Sequence, residues 1–414
     1  MADVVIVGGR VWDGTGADAR QATVVVRDGR IVAVQAPGAA LPSDATRIDA
    51  DGGFVMPGMI DSHVHLPSSG AANYELQRLK DLLPLQALQG AANARTMLMA
   101  GFTTVRDLSS PAFTNVAIRQ AFDAGLMVGP RVLAAGMSLT VPGGHGDSYY
   151  RPEVQVAREG IVNGPDEARR TVRQWVKMRV DVIKLLVTGG VMTDGSEVGA
   201  LQWTPDELQA AISQAHQLGK RVAGHCHGGI GVKEAVKAGI DTIEHGTMLD
   251  EEAVSMMAAA GTFLVPTIIA GQHIVDHGTA GGIAPHVVAK GEQIGVWHRK
   301  SVRMAHDAGV KVAFGTDCGT PFNKPGENAI ELRYMTECGF SASEALQAAT
   351  RVAADACGLS DRLGTLEDGK LADIVIVAGD PLADIRVMAD RARIAWVLKG
   401  GSVVKRPDGP TGEQ

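Results

Sequence analysis

Apolar positions along the chain follow two rhythms. At both ends, short β-branched runs alternate with Gly- and Asp-rich turns: 3–7 (DVVIV), 23–27 (TVVVR) and 30–34 (RIVAV), then 373–377 (DIVIV), 394–398 (IAWVL) and 402–404 (SVV). Neither end has enough strands to close a sheet alone, so the pattern predicts one small β-sandwich assembled from both termini. Between them, apolar runs at 54–60, 102–106, 131–135, 182–187, 221–225, 241–244, 262–266 and 310–315 alternate with helix-period segments. The helices predicted at 164–176 and 204–219 carry Pro in the first turn with acids behind it. The one at 341–358 opens on a Ser-x-x-Glu capping box and stops at Gly358. Eight β-then-α units predict an α/β fold, a (β/α)8 TIM barrel, with a doubly wound open sheet as the structural alternative. The expected domains are 58–358 for the barrel and 1–57 with 359–414 for a discontinuous sandwich.

Bulk composition narrows the function classes. The 414 residues are 45% hydrophobic and 21% charged, an ordinary globular balance. A formal net charge of -7 disfavours a polyanion partner such as nucleic acid. The four cysteines (Cys226, Cys318, Cys338 and Cys357) show no CxxC spacing and read as free thiols of a reducing compartment. No window approaches the ~20 apolar residues of a membrane span, and the opening MADVVIVGGRVWDG lacks the pattern of a signal peptide. The expectation is a cytoplasmic enzyme or binding protein without a nucleic-acid or membrane partner.

Chemistry-bearing residues recur at the ends of the predicted barrel strands. His63 and His65 lie at i and i+2 in IDSHVH, so their side chains share one face of a strand. Such a pair alone is equally consistent with two core histidines. Lys184 sits inside VDVIKLLVTGG, where burial favours the neutral amine. A carboxylate partner is the plain reading of such a lysine. A neutral amine can also add CO2, and the resulting carbamate has two oxygens able to bridge two metals. His225 and His227 repeat the i, i+2 spacing in GHCHGG, His245 ends TIEHGT, and Asp317 follows VAFGT. Each residue alone suits a structural role, whereas five strand ends bearing metal-binding residues make coincidence hard to sustain. Imidazoles and hard oxygens without thiolate suit Zn²⁺ first and also accept Mn, Fe, Co or Ni. Strand alternation turns Cys226 away from the barrel mouth, into packing.

With these motifs in place, the chain resembles the amidohydrolase superfamily of metal-dependent hydrolases along essentially its whole length. The stretches that carry the likeness are VMPGMIDSHVHL, AGFTTVRDL, IKLLVTGGVM, HCHGG, IEHGT, FGTD and LGTLEDGKLADIVI. It is most similar to the binuclear branch of Xaa-Pro-dipeptidase-like and imidazolonepropionase-like enzymes, which includes hydrolases of dipeptides, N-acyl amino acids, ochratoxin-type amides and phenylureas. The resemblance implies two divalent metal ions per subunit. His63, His65 and Asp317 would hold the more buried ion and His225 and His245 the other, with a carboxylated Lys184 bridging them. It also implies that a metal-bridging hydroxide attacks the amide while Asp317 takes its proton and delivers it to the leaving amine. Homo-oligomeric rings are common in the family. Mononuclear deaminases of the superfamily lack the strand-four lysine and carry a Glu soon after the strand-five histidine. Here the first acid after His225 is Glu234, which is too far along.

Substrate contacts are expected from the loops after the strands. SLTVPGGHGDSYYRPE contains His145, which resembles a substrate-contacting histidine of the relatives, and then Tyr149, Tyr150 and Arg151, suited to a carbonyl oxygen and a terminal carboxylate. A solvated loop is the alternative for these four. His227 would touch substrate or support a ligand. Segment 268–300, with GTAGG, is a lid candidate, its four irregularly spaced histidines suit surface or lid positions better than a further metal site, and Trp297 reads as either a cap on the leaving group or a core residue. The leading function is amide hydrolysis of dipeptides, N-acyl amino acids or ochratoxin-like amides. A cyclic-amide or phenylurea hydrolase is the second reading and a non-catalytic scaffold the third, which the intact ligand set opposes.

Overall fold

The structure, a computed structural model, describes residues 3–151, 153 and 160–410. Its terminal strands are β1 (Val4–Val11), β2 (Arg20–Arg27), β3 (Arg30–Gln35), β4 (Thr46–Asp49) and β5 (Phe54–Pro57). The central ones are β6 (Met59–Val64), β7 (Phe102–Asp107), β8 (Arg131–Ala134), β9 (Val182–Leu186), β10 (Arg221–His227), β11 (Thr242–Thr247) and β12 (Phe263–Val265). From the C-terminal end come β13 (Ile374–Val377), β14 (Ile394–Lys399), β15 (Ser402–Arg406) and β16 (Gly409–Pro410).

Both termini do share one β layer. Their strands run β16-β15-β14-β13-β5-β1-β2-β3, with β4 on β1. Hydrogen bonding runs unbroken from the strands of one terminus to those of the other. Val55 of β5 faces Val11 on one side and Ile376 on the other, so neither terminus completes the layer without its partner. The apolar run predicted at 54–60 divides between this sheet and the central one at Gly58. Its N–H donates to Asp373 O at 2.8 Å, and a Cβ there would lie 2.3 Å from Thr103 Oγ1.

The central strands form two parallel sheets, β6-β7-β8 and β12-β11-β10-β9. Isolated contacts span the gaps. Leu139 N–H donates to Lys184 O at 2.8 Å on one side. On the other, 310–315 forms only a bridge from Val312 to Leu264, and Ser62 N–H donates to Phe314 O at 3.0 Å. The predicted eighth strand is thus an extended segment without a ladder, and the ring is not closed by continuous pairing among the described residues. Just beyond it, Asp317 turns into the left-handed region (φ 58°).

The predicted helices appear at Pro165–Lys177, at Pro205–Gln217 behind a Thr204–Glu207 capping box, and from Ala342 behind a Ser341–Glu344 box. The last is interrupted by a π-turn at Ala348–Val352. Segment 268–300 is no lid loop: helices Ile268–His277 and Pro285–Asp307 occupy it. Among the described residues no helix is long and apolar enough to cross a membrane.

Asp373 ties the terminal sheet to the central strands. It is 4% exposed, accepts from Arg131 Nη1 at 2.9 Å and from Gly400 N–H at 2.8 Å, and leaves Arg131 paired across 242 positions of sequence. Asp373→Ala should lower stability by about 2–3 kcal/mol, toward the low side for a buried pair because Arg131 keeps partial contact with water. Denaturant titration reads this directly, and an unchanged midpoint would remove Asp373 from the joint.

Candidate metal centre and active site

The strand period delivers the histidines as expected. His63, at the end of β6, is 1% exposed and points inward. Its Nδ1 lies 2.8 Å from Glu244 Oε2, and Arg106 Nη2 donates to the other Glu244 oxygen at 2.9 Å. A carboxylate held by arginine can only accept, so Nδ1 of His63 carries the proton and Nε2 presents its lone pair to the cavity. Burial would push the Glu244 carboxyl up, but Arg106 and His63 outweigh it and hold it down to about 2. His63 is pushed down to about 4 by burial and by the nearby Lys184 ammonium. It is a neutral imidazole near pH 7.

His65 is oriented the same way, its Nδ1 3.0 Å from the Ser109 carbonyl. Its Nε2 stands 3.0 Å from Asp317 Oδ1, and His63 Nε2 stands 3.5 Å from the same oxygen. Two ring nitrogens therefore converge on one carboxylate oxygen that has no aligned hydrogen-bond donor. Burial pushes the Asp317 carboxyl up, while His63 and His65 bring it below its ordinary range. His245 completes this group. A nitrogen of His63, a nitrogen of His245 and an oxygen of Asp317 all lie within 4.8 Å of one another. His245, which the resemblance assigns to the other ion, so belongs to the tightest cluster.

Backbone strain concentrates here. His245 (φ 71°), Thr267 (φ 52°) and Asp317 (φ 58°) are left-handed without being glycine, each costing about 1–3 kcal/mol. Local bonds hold them: His245 Nδ1 meets Thr267 Oγ1 at 2.7 Å, and Asp317 N–H donates to His63 O at 2.7 Å. Asp61, absent from the sequence reading, fixes the turn before Asp317. It accepts from His63 N–H (3.1 Å), Thr316 N–H (3.1 Å), Thr316 Oγ1 (2.6 Å) and Asn328 Nδ2 (2.7 Å).

Lys184 and His225 supply the other half. Lys184, on β9, is 2% exposed, and its Nζ has no hydrogen-bond partner. Burial pushes its pKa down to about 8, although Glu244 and Asp317 pull it up. His225, on β10, also has an unpartnered Nε2. Its ring lies 4.4 Å from that of His145 and 4.6 Å from that of His245. His227 lines the cavity but is occupied at Nδ1 by Thr247 Oγ1, 2.6 Å away. A cavity of about 170 Å³ contains all six expected metal-binding residues together with His145 and His227.

Other expected contacts fall elsewhere. Tyr149 is 83% exposed and the Arg151 side chain 76% exposed, and neither lines the cavity, nor does Tyr150. Trp297 is half-exposed beneath Lys300, neither a core residue nor a cap on the cavity. Cys226 is fully buried away from the cavity, as strand alternation required. Of the four histidines in 268–300, His298 was missed as a site residue. It is buried on the Pro285–Asp307 helix, lines the cavity, and contacts the carbonyls of Pro266 (2.7 Å) and His245 (3.2 Å). Nothing in its spacing marks it, because its partners lie 32 and 53 positions away.

The residues fit divalent cations: imidazoles aimed by their far nitrogens, a carboxylate oxygen between them, and a buried amine and imidazole nitrogen without partners. Comparison with known proteins agrees. Residues 54–404 match the Amidohydrolase family. The chain is 31% identical to an ochratoxinase from Aspergillus niger, over 99% of this chain and 88% of that protein. It is 27% identical to an imidazolonepropionase from Rhizobium rhizogenes, over 86% of each. A crystal structure of a Xaa-Pro dipeptidase with methionine bound in the active site superposes with a TM-score of 0.92 at 34% identity, covering 98% of this chain and all of that one. On the match over residues 54–404 and the near full-length likeness to ochratoxinase, this protein belongs to the amidohydrolase family, a family of metal-dependent hydrolases.

Proposed function

We propose that the protein is a binuclear amidohydrolase that cleaves the peptide-type amide of dipeptides, N-acyl amino acids or ochratoxin-like compounds. The observation that carries this reading is the set of unpartnered buried polar atoms on one cavity: Lys184 Nζ, His225 Nε2 and Asp317 Oδ1. Leaving such groups unsatisfied costs roughly 1–3 kcal/mol each, and cations bound between them would recover it. His63, His65 and Asp317 are assigned to one ion and His225 and His245 to the other, with Zn²⁺ first among metals for this donor set. When bound, two divalent ions supply Lewis-acid polarisation of the scissile carbonyl and acidify a water.

The chain's own residues do the rest. Burial enlarges the neutral fraction of the Lys184 amine, and that neutral amine forms an N–C bond to CO2 and loses a proton. The resulting carbamate would be an anion available as a ligand to both ions. Asp317, ionised and central, accepts a proton from the attacking water and passes it to the leaving nitrogen. His145, beside His225, is assigned to the substrate's carbonyl side, and His227 to support of the site. Tyr149 and Arg151 lie outside the cavity, so they are not assigned to the substrate, and a cyclic-amide or phenylurea-type hydrolase using the same metal site is the second reading.

Metal content per subunit tests the reading. Protein purified without chelators in bicarbonate buffer should carry two equivalents, falling to one or fewer in Lys184→Ala. Two equivalents retained by that variant would reject the bridge. Asp317→Asn should keep much of the metal and lose about 10²–10⁴ in kcat; near-normal turnover would contradict its assigned role.

A pH titration follows from the buried imidazoles. His63, His145 and His298 are each held to about 4 by burial, against an ordinary 6.5. The unfolded chain therefore binds more protons than the folded one between these values, and stability falls as pH drops from about 6.5 toward 4. Metal-stripped protein should lose up to about 1.4 kcal/mol per pH unit for each such histidine. A flat profile in denaturant melts would mean that the rings are already charged in the folded state.

A further inference from the structure

Lys290 lies half-buried on the Pro285–Asp307 helix, outside the cavity lining. Its ammonium donates to the carbonyl oxygens of Thr193 (2.7 Å), Ser196 and, more distantly, Gly190 (3.4 Å). Three donors thus meet three acceptors, all in the loop after β9. Two routes continue from that loop to His145. Thr193 Oγ1 accepts from Gly146 N–H at 2.9 Å. Ser196 Oγ accepts from Gln202 Nε2 at 3.3 Å, and Gln202 Oε1 accepts from His145 N–H at 2.9 Å.

The same loop also carries one wall of the cavity. Val191 and Met192 line it and pack in one apolar cluster with Ile274 and Ile294 of the two helices opposite. Loop and helices are separate stretches of chain, and the Lys290 bonds are where the Pro285–Asp307 helix grips the loop.

We propose that Lys290 is a positioning residue for the substrate: it locks the loop after β9 against the Pro285–Asp307 helix and so fixes both His145 and an apolar wall that receives the hydrophobic side group next to the scissile amide. This rests on the amide-hydrolase reading of the cavity. The lysine touches none of the residues assigned to metal, so its loss acts on substrate binding and leaves the metal content alone.

Lys290→Met keeps the apolar stem and removes the three donors. Metal per subunit should stay at the wild-type value. For amides with a bulky apolar side group, KM should rise about tenfold or more, the scale of about one methylene's worth of lost apolar contact, while kcat changes little. Amides with a glycine- or alanine-sized group should shift less than about threefold. Hydrogen exchange on the same protein should quicken in peptides spanning 139–147 and 189–203 and stay unchanged across β10 and β11. Thr193→Val removes only the Gly146 link and should give a smaller change confined to 139–147, should Lys290→Met fold poorly. Unchanged exchange in both loops, or equal losses for small and bulky amides, overturns the proposal. If wild-type protein hydrolyses no amide, the functional reading fails, and the exchange experiment still decides whether Lys290 holds the loop.

Discussion

Glu244 places a fully buried carboxylate between the two central sheets, and the neighbouring strands are arranged around that charge. Arg106 from β7 answers it, itself 1% exposed and bound through Nε to Ser62 O at 2.6 Å. His63 from β6 takes the remaining oxygen. Removing either charge would strand the other in a low-dielectric interior, a loss of about 3–5 kcal/mol for buried pairs in general. The contact joins β6 and β7 to β11 across sheets that share no continuous ladder. It also decides which nitrogen of His63 carries a proton, so one ion pair serves both the architecture and the chemistry.

A second set of bonds shapes the turn that follows the extended segment 310–315. Burial pushes the Asp61 carboxyl up to about 6, and its four donors hold it ionised above that. Those donors belong to His63, Thr316 and Asn328, so the residue before Asp317 is fixed from three sides. The left-handed backbone of Asp317 and His245 would relax if the surroundings yielded. Gly319 shows how little room remains, since a Cβ there would sit 2.7 Å from His65 O. Strain and tight packing meet where ring nitrogens must face one oxygen.

Much of this was readable from the chain. His63, His65, His225 and His227 follow the two-residue strand period, so their shared face needs no tertiary information. Lys184 stands out because an ammonium inside VDVIKLL is chemically out of place. The supporting groups were invisible for a physical reason. Glu244 sits in the TIEHGT motif, yet its value comes from Arg106, 138 positions earlier. Asp61 acts through Thr316 and Asn328, and His298 through backbone carbonyls that no side-chain pattern encodes. Periodicity also overran at 54–60, where Gly58 moves one apolar run into two sheets, and at 310–315, where an apolar run lacks a laddered partner. Segment 268–300 misled through its glycines: Gly278, Gly281 and Gly282 sit at the turn between two helices, and Gly291 lies within a helix, closely packed against Ile274.

The shared terminal sheet carries a cost during synthesis. β5 lies between β1 and β13, so one edge of it has no partner until the ribosome has made nearly the whole chain. Through that interval the nascent protein displays an apolar, unpaired strand edge of the kind that recruits other strands. Closing the sheet then requires a contact between residues far apart in sequence, which slows folding. The last strands to emerge therefore act as a seal, and a ribosome that stalls before Ile374 leaves the N-terminal β layer open to aggregation.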